Sequence, residues 1–473
     1  MKVEQIYTGC LSQGAYYIEC DGEAAVIDPL REVDQYIQLA GERKASIKYI
    51  FETHFHADFV SGHVDLSRKT GAPIVYGPTE METGFDALIA HDHQVFNLGR
   101  AKIKAIHTPG HTLESTCYLL IDESGKEKAL FTGDILFIGD VGRPDLAQHV
   151  IAELTAVKLA GMLYDSLRNK IMPLSDDLVI YPAHGAGSAC GKNLGKEKSD
   201  TLGNQKKTNY ALRGNLSKEE FVKEILAGLT PPPAYFPKNV LMNIKGYENV
   251  DEVLQRGTKA LNVHQFQRLI HENHVLVVDT RDPSIFKKGF IPGSWNIGLD
   301  GSFAVWVGTL IKDIKQKIVI VSDTGREKES VTRLARVGYD NAVGYLEGGF
   351  EAWQNGGFEI NCIPSISVAD FAVLHKTRGV KILDVRKKSE FDSEHIIGAI
   401  NTPLNYIEDG AKVIDKTETY YIYCAGGYRS MIFASVMKSN GYENLIDIEG
   451  GVTAIKESKR FELSEFVCPT TML

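Results

Sequence analysis

Phe51-Glu-Thr-His54-Phe-His56-Ala-Asp58-Phe59-Val-Ser-Gly-His63 is the stretch from which the fold can be read. Three side chains able to hold a metal, His54, His56 and Asp58, alternate along it. The apolar run Ile47 to Phe51 before them reads as a strand. A chain leaving a strand still half-extended sends alternate side chains to one side. Two imidazoles and a carboxylate can therefore converge at the strand's exit. The competing reading is a polar loop that happens to contain two histidines.

Three later motifs bear on that choice. Thr108-Pro-Gly-His111-Thr and Tyr181-Pro-Ala-His184-Gly are turns carrying a histidine, and Phe131-Thr-Gly-Asp134 puts an aspartate at the end of an apolar run. Each sits where a strand would stop. The order resembles that of the metallo-β-lactamase superfamily, H-x-H-x-D-H followed by H, D and H, over roughly residues 1–240. One position departs: Phe59 stands where the family has a second histidine directly after the aspartate. Two-metal members need that histidine, with the counterparts of Asp58 and His184, to hold the second ion. Phenylalanine offers no lone pair, so a one-metal centre is expected. The residues alone leave two ligand sets open. His54, His56 and His111 form a three-nitrogen set that suits zinc. His54, His111 and Asp134 form a two-histidine, one-carboxylate face that suits non-haem iron(II) and oxygen chemistry. A closer resemblance, to the persulfide dioxygenases of the glyoxalase-II-like branch, rests on T-H-x-H-A-D, P-G-H-T and T-G-D. It implies the second set and one Fe(2+) per chain. It also implies that His56, Asp58 and His184 orient the ligands and bound water.

At 473 residues the chain is too long for one ordinary domain and about three are expected. Its 43% apolar and 24% charged content is that of a globular protein. A net charge of −9 argues against a nucleic-acid partner. There is no signal-peptide pattern and no apolar run of about eighteen residues, so no membrane partner is expected either. Seven cysteines, at 10, 20, 117, 190, 362, 424 and 468, form no C-x-x-C and are odd in number. That fits a reducing cytoplasm rather than a disulfide framework. Nine of the fourteen histidines precede residue 190, which places the metal chemistry in the N-terminal part.

Asp21-Gly22 marks a hairpin turn and Ala24 to Ile27 a strand. Val33 to Gly41 and Val64 to Thr70 read as helices, Ile74 to Tyr76 and Val95 to Leu98 as strands. His91-x-His93 imitates a ligand pair but lies in a polar connection that the superfamily pattern passes over. Metal-bearing loops at strand ends fit an αββα sandwich. Gly139-Asp-Val-Gly-Arg143-Pro-Asp145 follows the Asp134 strand. By the same resemblance, Arg143 would hold the anionic group of a substrate thiol; the alternative is an ordinary ion pair. Residues 192–213 carry six basic and two acidic side chains. They read equally as a solvated segment or as a basic lip that attracts an anionic thiol cofactor. Cys190 either carries sulfur or packs, and packing is the preferred reading. Thr230-Pro-Pro-Pro-Ala-Tyr-Phe-Pro237 cannot continue a helix and reads as a stiff connector, with a domain boundary between it and about residue 258.

The remaining half repeats itself. Val275-Leu-Val-Val-Asp279-Thr-Arg281 matches Val380-Lys-Ile-Leu-Asp384-Val-Arg386, and Leu346-Glu-Gly-Gly-Phe350 matches Ile448-Glu-Gly-Gly-Val452. Two α/β domains with parallel sheets are expected. Their D-x-R, F-x-x-x-H-I-x-G-A and E-G-G motifs resemble rhodanese sulfurtransferases. The decisive loop is Tyr421-Ile-Tyr-Cys424-Ala-Gly426-Gly427-Tyr-Arg429-Ser. Cys424 ends a strand, Gly426 and Gly427 let backbone N–H groups turn inward, and a helix start adds its positive dipole end. Such a nest stabilises a thiolate or its persulfide, and Arg429 can steady an incoming oxyanion. The first repeat has Asp323 in place of the cysteine. A carboxylate is a poor sulfur acceptor, so that repeat is expected to be silent, with Asp323 capping the next helix. The expected domains are 1–245 (metallo-β-lactamase-like), 258–360 (degenerate rhodanese) and 364–473 (active rhodanese).

Taken whole, the order of parts resembles the persulfide dioxygenase–rhodanese fusions of sulfide detoxification. The resemblance implies oxidation of a low-molecular-weight thiol persulfide by O2 to sulfite, and transfer of persulfide sulfur through Cys424 to sulfite, giving thiosulfate. The alternative is a zinc-dependent, glyoxalase-II-like thioester hydrolase with rhodanese appendages. The carrier thiol stays open between glutathione, coenzyme A, bacillithiol and others. Domains of about 240 and 105 residues have radii of gyration of roughly 18 and 13 Å. Separate sites with a diffusing sulfur species are therefore expected; a homo-oligomer is a further expectation.

Overall fold

Asp21 and Gly22 both have left-handed backbone, with φ of 52° and 79°, as a two-residue hairpin turn requires. They join strands Gln13–Cys20 and Glu23–Ile27 antiparallel. The computed structural model describes residues 1–146, 154–192, 194–272 and 274–467; Cys468 lies outside them. The chain divides into one unit of Met1–Glu252 with Ala335–Gly338, and a second of Val253–Leu334 with Tyr339–Leu473.

The first unit holds two six-stranded sheets. In spatial order one runs Lys2–Thr8, Gln13–Cys20, Glu23–Ile27, Ser46–Phe51, Ile74–Tyr76, Ala87–Ile89. The other runs Asp200–Thr201, Val179–Pro182, Glu127–Gly133, Thr116–Ile121, Ala101–His107, Val95–Leu98. Side-chain alternation explains the layering. Tyr16, Ile18, Ala25 and Ile27 of one sheet meet Tyr118, Leu120 and Phe131 of the other in a shared core. Their neighbours Tyr17, Ala24 and Val26 face outward and are covered by Tyr36 and Ala40 of helix Asp34–Glu42 and Leu66 of helix His63–Thr70. Across the molecule Leu119, Leu130 and Ile180 are covered by Leu163 of helix Ala156–Ser166 and by Phe221 and Ile225 of helix Lys218–Leu226. This is the αββα sandwich. Each large apolar side chain buried there contributes about 1.5–3 kcal/mol.

The strands Ile74–Tyr76 and Val95–Leu98 fall where the sequence places them. The proline-rich connector is shorter than read. Helix Phe236–Lys245 begins inside it, with Pro237 in the first turn, where a missing N–H costs nothing. Among the described residues no helix is long and apolar enough to cross a membrane.

The second unit carries two five-stranded, all-parallel sheets of the same order. The repeat persists at the level of single bonds. Arg281 closes on Asp279 and donates to the Gly289 carbonyl, and Arg386 closes on Asp384 and donates to that of Glu394. Asn296 and Asn401 each tie together the carbonyls of their own Asp and Arg. The D-x-R motif is thus a buried brace in both repeats.

Candidate metal centre and sulfur-carrier loop

Beyond Phe51 the chain is bent by bonds to distant parts of the first unit. Asp28 accepts from the Thr53 N–H at 2.7 Å and Glu114 from that of Phe55 at 2.9 Å. Asn243, fully buried, donates to the carbonyls of His56 and Phe59 and accepts from the Ser61 N–H. No local sequence pattern flags Asn243, Asp28 or Glu114.

The segment so held places His54 beside His111 and Asp134. Asp134 Oδ2 is 3.9 Å from Nε2 of His54 and 3.5 Å from Nε2 of His111. Donors bound to one ion at about 2.0–2.2 Å stand at comparable separations. The tautomers are fixed from behind. His111 Nδ1 is 2.8 Å from the Arg143 carbonyl, which only accepts, so Nδ1 carries the proton and Nε2 the lone pair. Thr53 gives its hydroxyl proton to Asp28 and accepts from Nδ1 of His54, which leaves Nε2 of His54 free in the same way. Burial, then the neighbouring His56, His111 and His184, hold His54 well below the usual imidazole range. Both carboxylate oxygens of Asp134 are buried, and no N–H or O–H donates to them. An uncompensated buried carboxylate beside two imidazole lone pairs is what a cation satisfies, so the residues fit a bound metal.

His56, Asp58 and His184 form a second group alongside. His184 Nε2 lies 3.5 Å from both Asp58 Oδ2 and Asp134 Oδ1. His56 faces two ways, since Nε2 is 3.0 Å from Asp28 and 3.5 Å from Glu52. Burial alone would push His56 down, but the charge and hydrogen bond of Asp28, with Glu52 and Asp58, raise it to about 9. Phe59 is fully buried and packs on the His56 ring with centroids 4.4 Å apart. Cys190 is closer to this chemistry than a packing residue need be: it groups with Asp134 and His184. Burial, then the charges of Asp58 and Asp134, push its thiol well up.

A cavity of about 40 Å³ opens beside His111, walled by Phe55, Met81, Leu146, Val240 and Ile244, with Glu114. Among the described residues of 192–213, none lines it. Three of the six bases have local partners: Lys192 is held by the Glu224 carbonyl, Lys206 by Asp176 and Arg213 by Glu224. The Arg143 guanidinium is likewise engaged, bidentate on Asp145 at 2.7 Å and on the Thr230 carbonyl at 2.6 Å. A substrate anion would have to compete with Asp145 for it. His91 and His93 are exposed and belong to no metal-capable group among the described residues.

In the second unit Cys424 is buried at the end of strand Tyr420–Tyr423. Gly427, at φ 109°, turns its N–H to the Cys424 sulfur at 3.1 Å, and helix Tyr428–Ser439 starts there. Arg429 is not free to meet an oxyanion as expected, because Glu390 takes both its terminal nitrogens at 2.6 and 2.8 Å. A cavity of about 260 Å³ lies beside this loop, lined by Gly426, Gly427, Asp447 and Glu449 together with Asp282, Ser284 and Lys287 of the first repeat. Asp323 does not cap its helix as expected. It is exposed, and its carbonyl, not its carboxylate, accepts from Arg326.

Comparison with known proteins finds a match for each kind of domain. Residues 8–184 match the family described as metallo-beta-lactamase superfamily, and 262–356 and 367–458 each match the rhodanese-like domain. A crystal structure of a metallo-beta-lactamase from Staphylococcus aureus is 31% identical, with a TM-score of 0.64 over 73% of this chain and 98% of that one. Among curated proteins, the hydroxyacylglutathione hydrolase GloC of Haemophilus influenzae is 27% identical over 41% of this chain and 94% of its own. The probable hydroxyacylglutathione hydrolase glo2 of Schizosaccharomyces pombe is 30% identical over 38% of this chain, and the match spans 66% of that relative, just under two thirds.

Proposed function

The chain belongs to the metallo-beta-lactamase superfamily and carries two rhodanese-like domains, and from this we propose that it is an iron-dependent persulfide dioxygenase that also transfers sulfur through Cys424. The observation that carries the reading is the donor set of His54, His111 and Asp134, with Phe59 in the place where a second ion would need a histidine. Two imidazoles and one carboxylate are a donor set that suits non-haem iron(II) and oxygen chemistry.

Iron(II) held by His54, His111 and Asp134 would supply the redox chemistry by which O2 and water convert the outer sulfur of a thiol persulfide to sulfite, releasing the thiol. The chain's part is positional. The Arg143 carbonyl and the Thr53 hydroxyl aim Nε2 of His111 and His54 inward. The apolar wall of Phe55, Met81, Leu146, Val240 and Ile244 limits water around the reacting sulfur. At Cys424, the thiolate attacks the outer sulfur of a second persulfide, the S–S bond breaks, and the thiol leaves with a proton. Sulfite then attacks the sulfur carried on Cys424, forming thiosulfate and returning the thiolate. The Gly427 N–H stabilises the anionic sulfur at both stages.

The hydroxyacylglutathione hydrolases among the relatives favour a second reading, a zinc thioester hydrolase. In it, metal-activated water would replace O2 and His56, Asp58 and His184 would serve a second ion. Elemental analysis of the purified chain, with oxygen uptake on a panel of glutathione, coenzyme A and bacillithiol persulfides, separates the two. Iron with oxygen consumption is expected. Paired zincs and thioester hydrolysis without oxygen uptake would overturn the dioxygenase reading.

A further inference from the structure

Both pieces of backbone that grip Cys424 are held in turn by the repeat that lacks a cysteine. One is the start of helix Tyr428–Ser439, whose neighbour Gly427 donates to the thiol sulfur at 3.1 Å. The other is the Glu449-Gly450-Gly451 turn, after which the Val452 N–H donates to the Cys424 carbonyl at 2.8 Å. That turn lies so near that a Cβ on Gly451 would stand 2.4 Å from the same carbonyl.

The first repeat reaches both. The Tyr428 hydroxyl donates to the Gly298 carbonyl at 2.7 Å. Its ring lies against Gly301, where a Cβ would stand 2.3–2.8 Å from three ring carbons. Further along the helix, Ser435 accepts from the Asn296 N–H and Ser439 from the Trp295 indole, both at 2.9 Å. Lys287 reaches Glu449 of the turn at 2.8 Å.

We propose that the cysteine-less repeat is the positioning element of the Cys424 loop and that Tyr428 is the positioning residue through which it acts. The inference rests on the reading of Cys424 as a sulfur carrier. Tyr428 touches no reacting atom. It acts through its chain neighbour Gly427, whose N–H faces the sulfur. A ring displaced by about an ångström carries that N–H with it, and misplacement on that scale costs roughly a hundredfold in rate. The absence of a nucleophile at Asp323 is then consistent with the first repeat's role, which is to hold geometry.

Gly301→Ala tests this in the full chain, because it pushes a methyl group into the Tyr428 ring from a repeat with no nucleophile. The kcat for cyanolysis of thiosulfate is expected to fall about tenfold or more, with KM little changed. The pH midpoint for iodoacetamide alkylation of Cys424, followed by mass spectrometry of its peptide, is expected to rise. Oxygen uptake is expected to match wild type. Tyr428→Phe removes only the hydroxyl donor and should move the same two readouts less. Adding Gly301→Ala to Tyr428→Ala should change nothing more, since the ring is gone. A folded Gly301→Ala chain with wild-type kcat and alkylation profile overturns the proposal. If that variant unfolds, wild-type values in Tyr428→Phe overturn it instead. A wild-type chain without any cyanolysis overturns the sulfur-carrier reading, while the alkylation comparison still decides the positioning role.

Discussion

The carbonyl oxygen of Arg143 stands 2.8 Å from Nδ1 of His111, so a loop outside the metal position sets the tautomer of a proposed ligand. The loop comes that close because its preceding residue is a glycine. A Cβ on Gly142 would stand 1.9 Å from the Asp134 carbonyl oxygen and 2.9 Å from His111 Nδ1. Gly142→Ala should therefore force apart two proposed ligands while leaving all three in the chain. Metal affinity, measured by competition with a chelator, is expected to fall about 10–100-fold. Circular dichroism should show the secondary structure retained.

Asp134 predicts an inversion of stability. Its two carboxylate oxygens are buried with no N–H or O–H donor, which costs on the order of 1–3 kcal/mol or more unless a cation is present. In metal-free protein Asp134→Asn should raise the thermal midpoint of the first unit, since a neutral amide replaces a lone charge. In metal-replete protein it should lower the midpoint, because wild type gains about 4 kcal/mol at a thousandfold excess of metal over Kd and the variant does not. Calorimetry with and without chelator reads both cases. A variant less stable than wild type in both would contradict the assignment of Asp134 as a ligand.

Asp447, behind the Cys424 loop, gives a pH dependence. Burial pushes its carboxyl up to about 6, against the pull of its hydrogen bond from Ser430. In the unfolded chain an aspartic acid titrates near 3.9. The folded state thus holds the proton more tightly, and the stabilisation is complete below about pH 4 and lost as pH rises through about 6. Two units of difference correspond to about 3 kcal/mol. Asp447→Asn should therefore gain about 2–3 kcal/mol on wild type between pH 4 and pH 7. Urea titrations at the two pH values, followed by hydrogen exchange in helix Tyr428–Ser439, measure it. Parallel pH profiles for the two proteins would count against a raised Asp447.

The legible parts of this chain are those whose signal is local. His54, His111, Asp134 and His184 each sit on a short motif where a strand ends, and the αββα layering follows from alternation such as Tyr16/Tyr17 and Leu119/Leu120. The parallel repeats were visible as an internal match. What sequence could not reveal is where a side chain's capacity is spent. Arg143 is committed to Asp145 and Thr230, and Arg429 to Glu390. Lys206 and Arg213 are neutralised by Asp176 and Glu224. Asn243 clamps the loop of the proposed metal ligand His54 from 184–187 residues away. Such pairings are set by tertiary geometry, on which residue type and spacing are silent. Gly301 beneath Tyr428 is of the same kind: an unremarkable glycine in a loop, meaningful only once the ring above it is seen.

Cys424→Ser separates the two proposed chemistries. Sulfite formation would draw only on His54, His111 and Asp134, whereas thiosulfate formation would need a nucleophile at residue 424. Serine keeps the size of the side chain and can accept the Gly427 N–H that now points to sulfur at 3.1 Å. Its hydroxyl, however, is a far weaker nucleophile than a thiolate and cannot hold a persulfide. With a thiol persulfide and O2, the variant is expected to consume oxygen at the wild-type rate. Thiosulfate should fall by several orders of magnitude. Sulfite should accumulate in its place, in proportion to the oxygen used. Oxygen-electrode traces paired with chromatography of the sulfur anions give all three quantities in one run. If oxygen uptake stops along with thiosulfate, Cys424 takes part in the oxidation itself, and the assignment of the two reactions to separate sites fails.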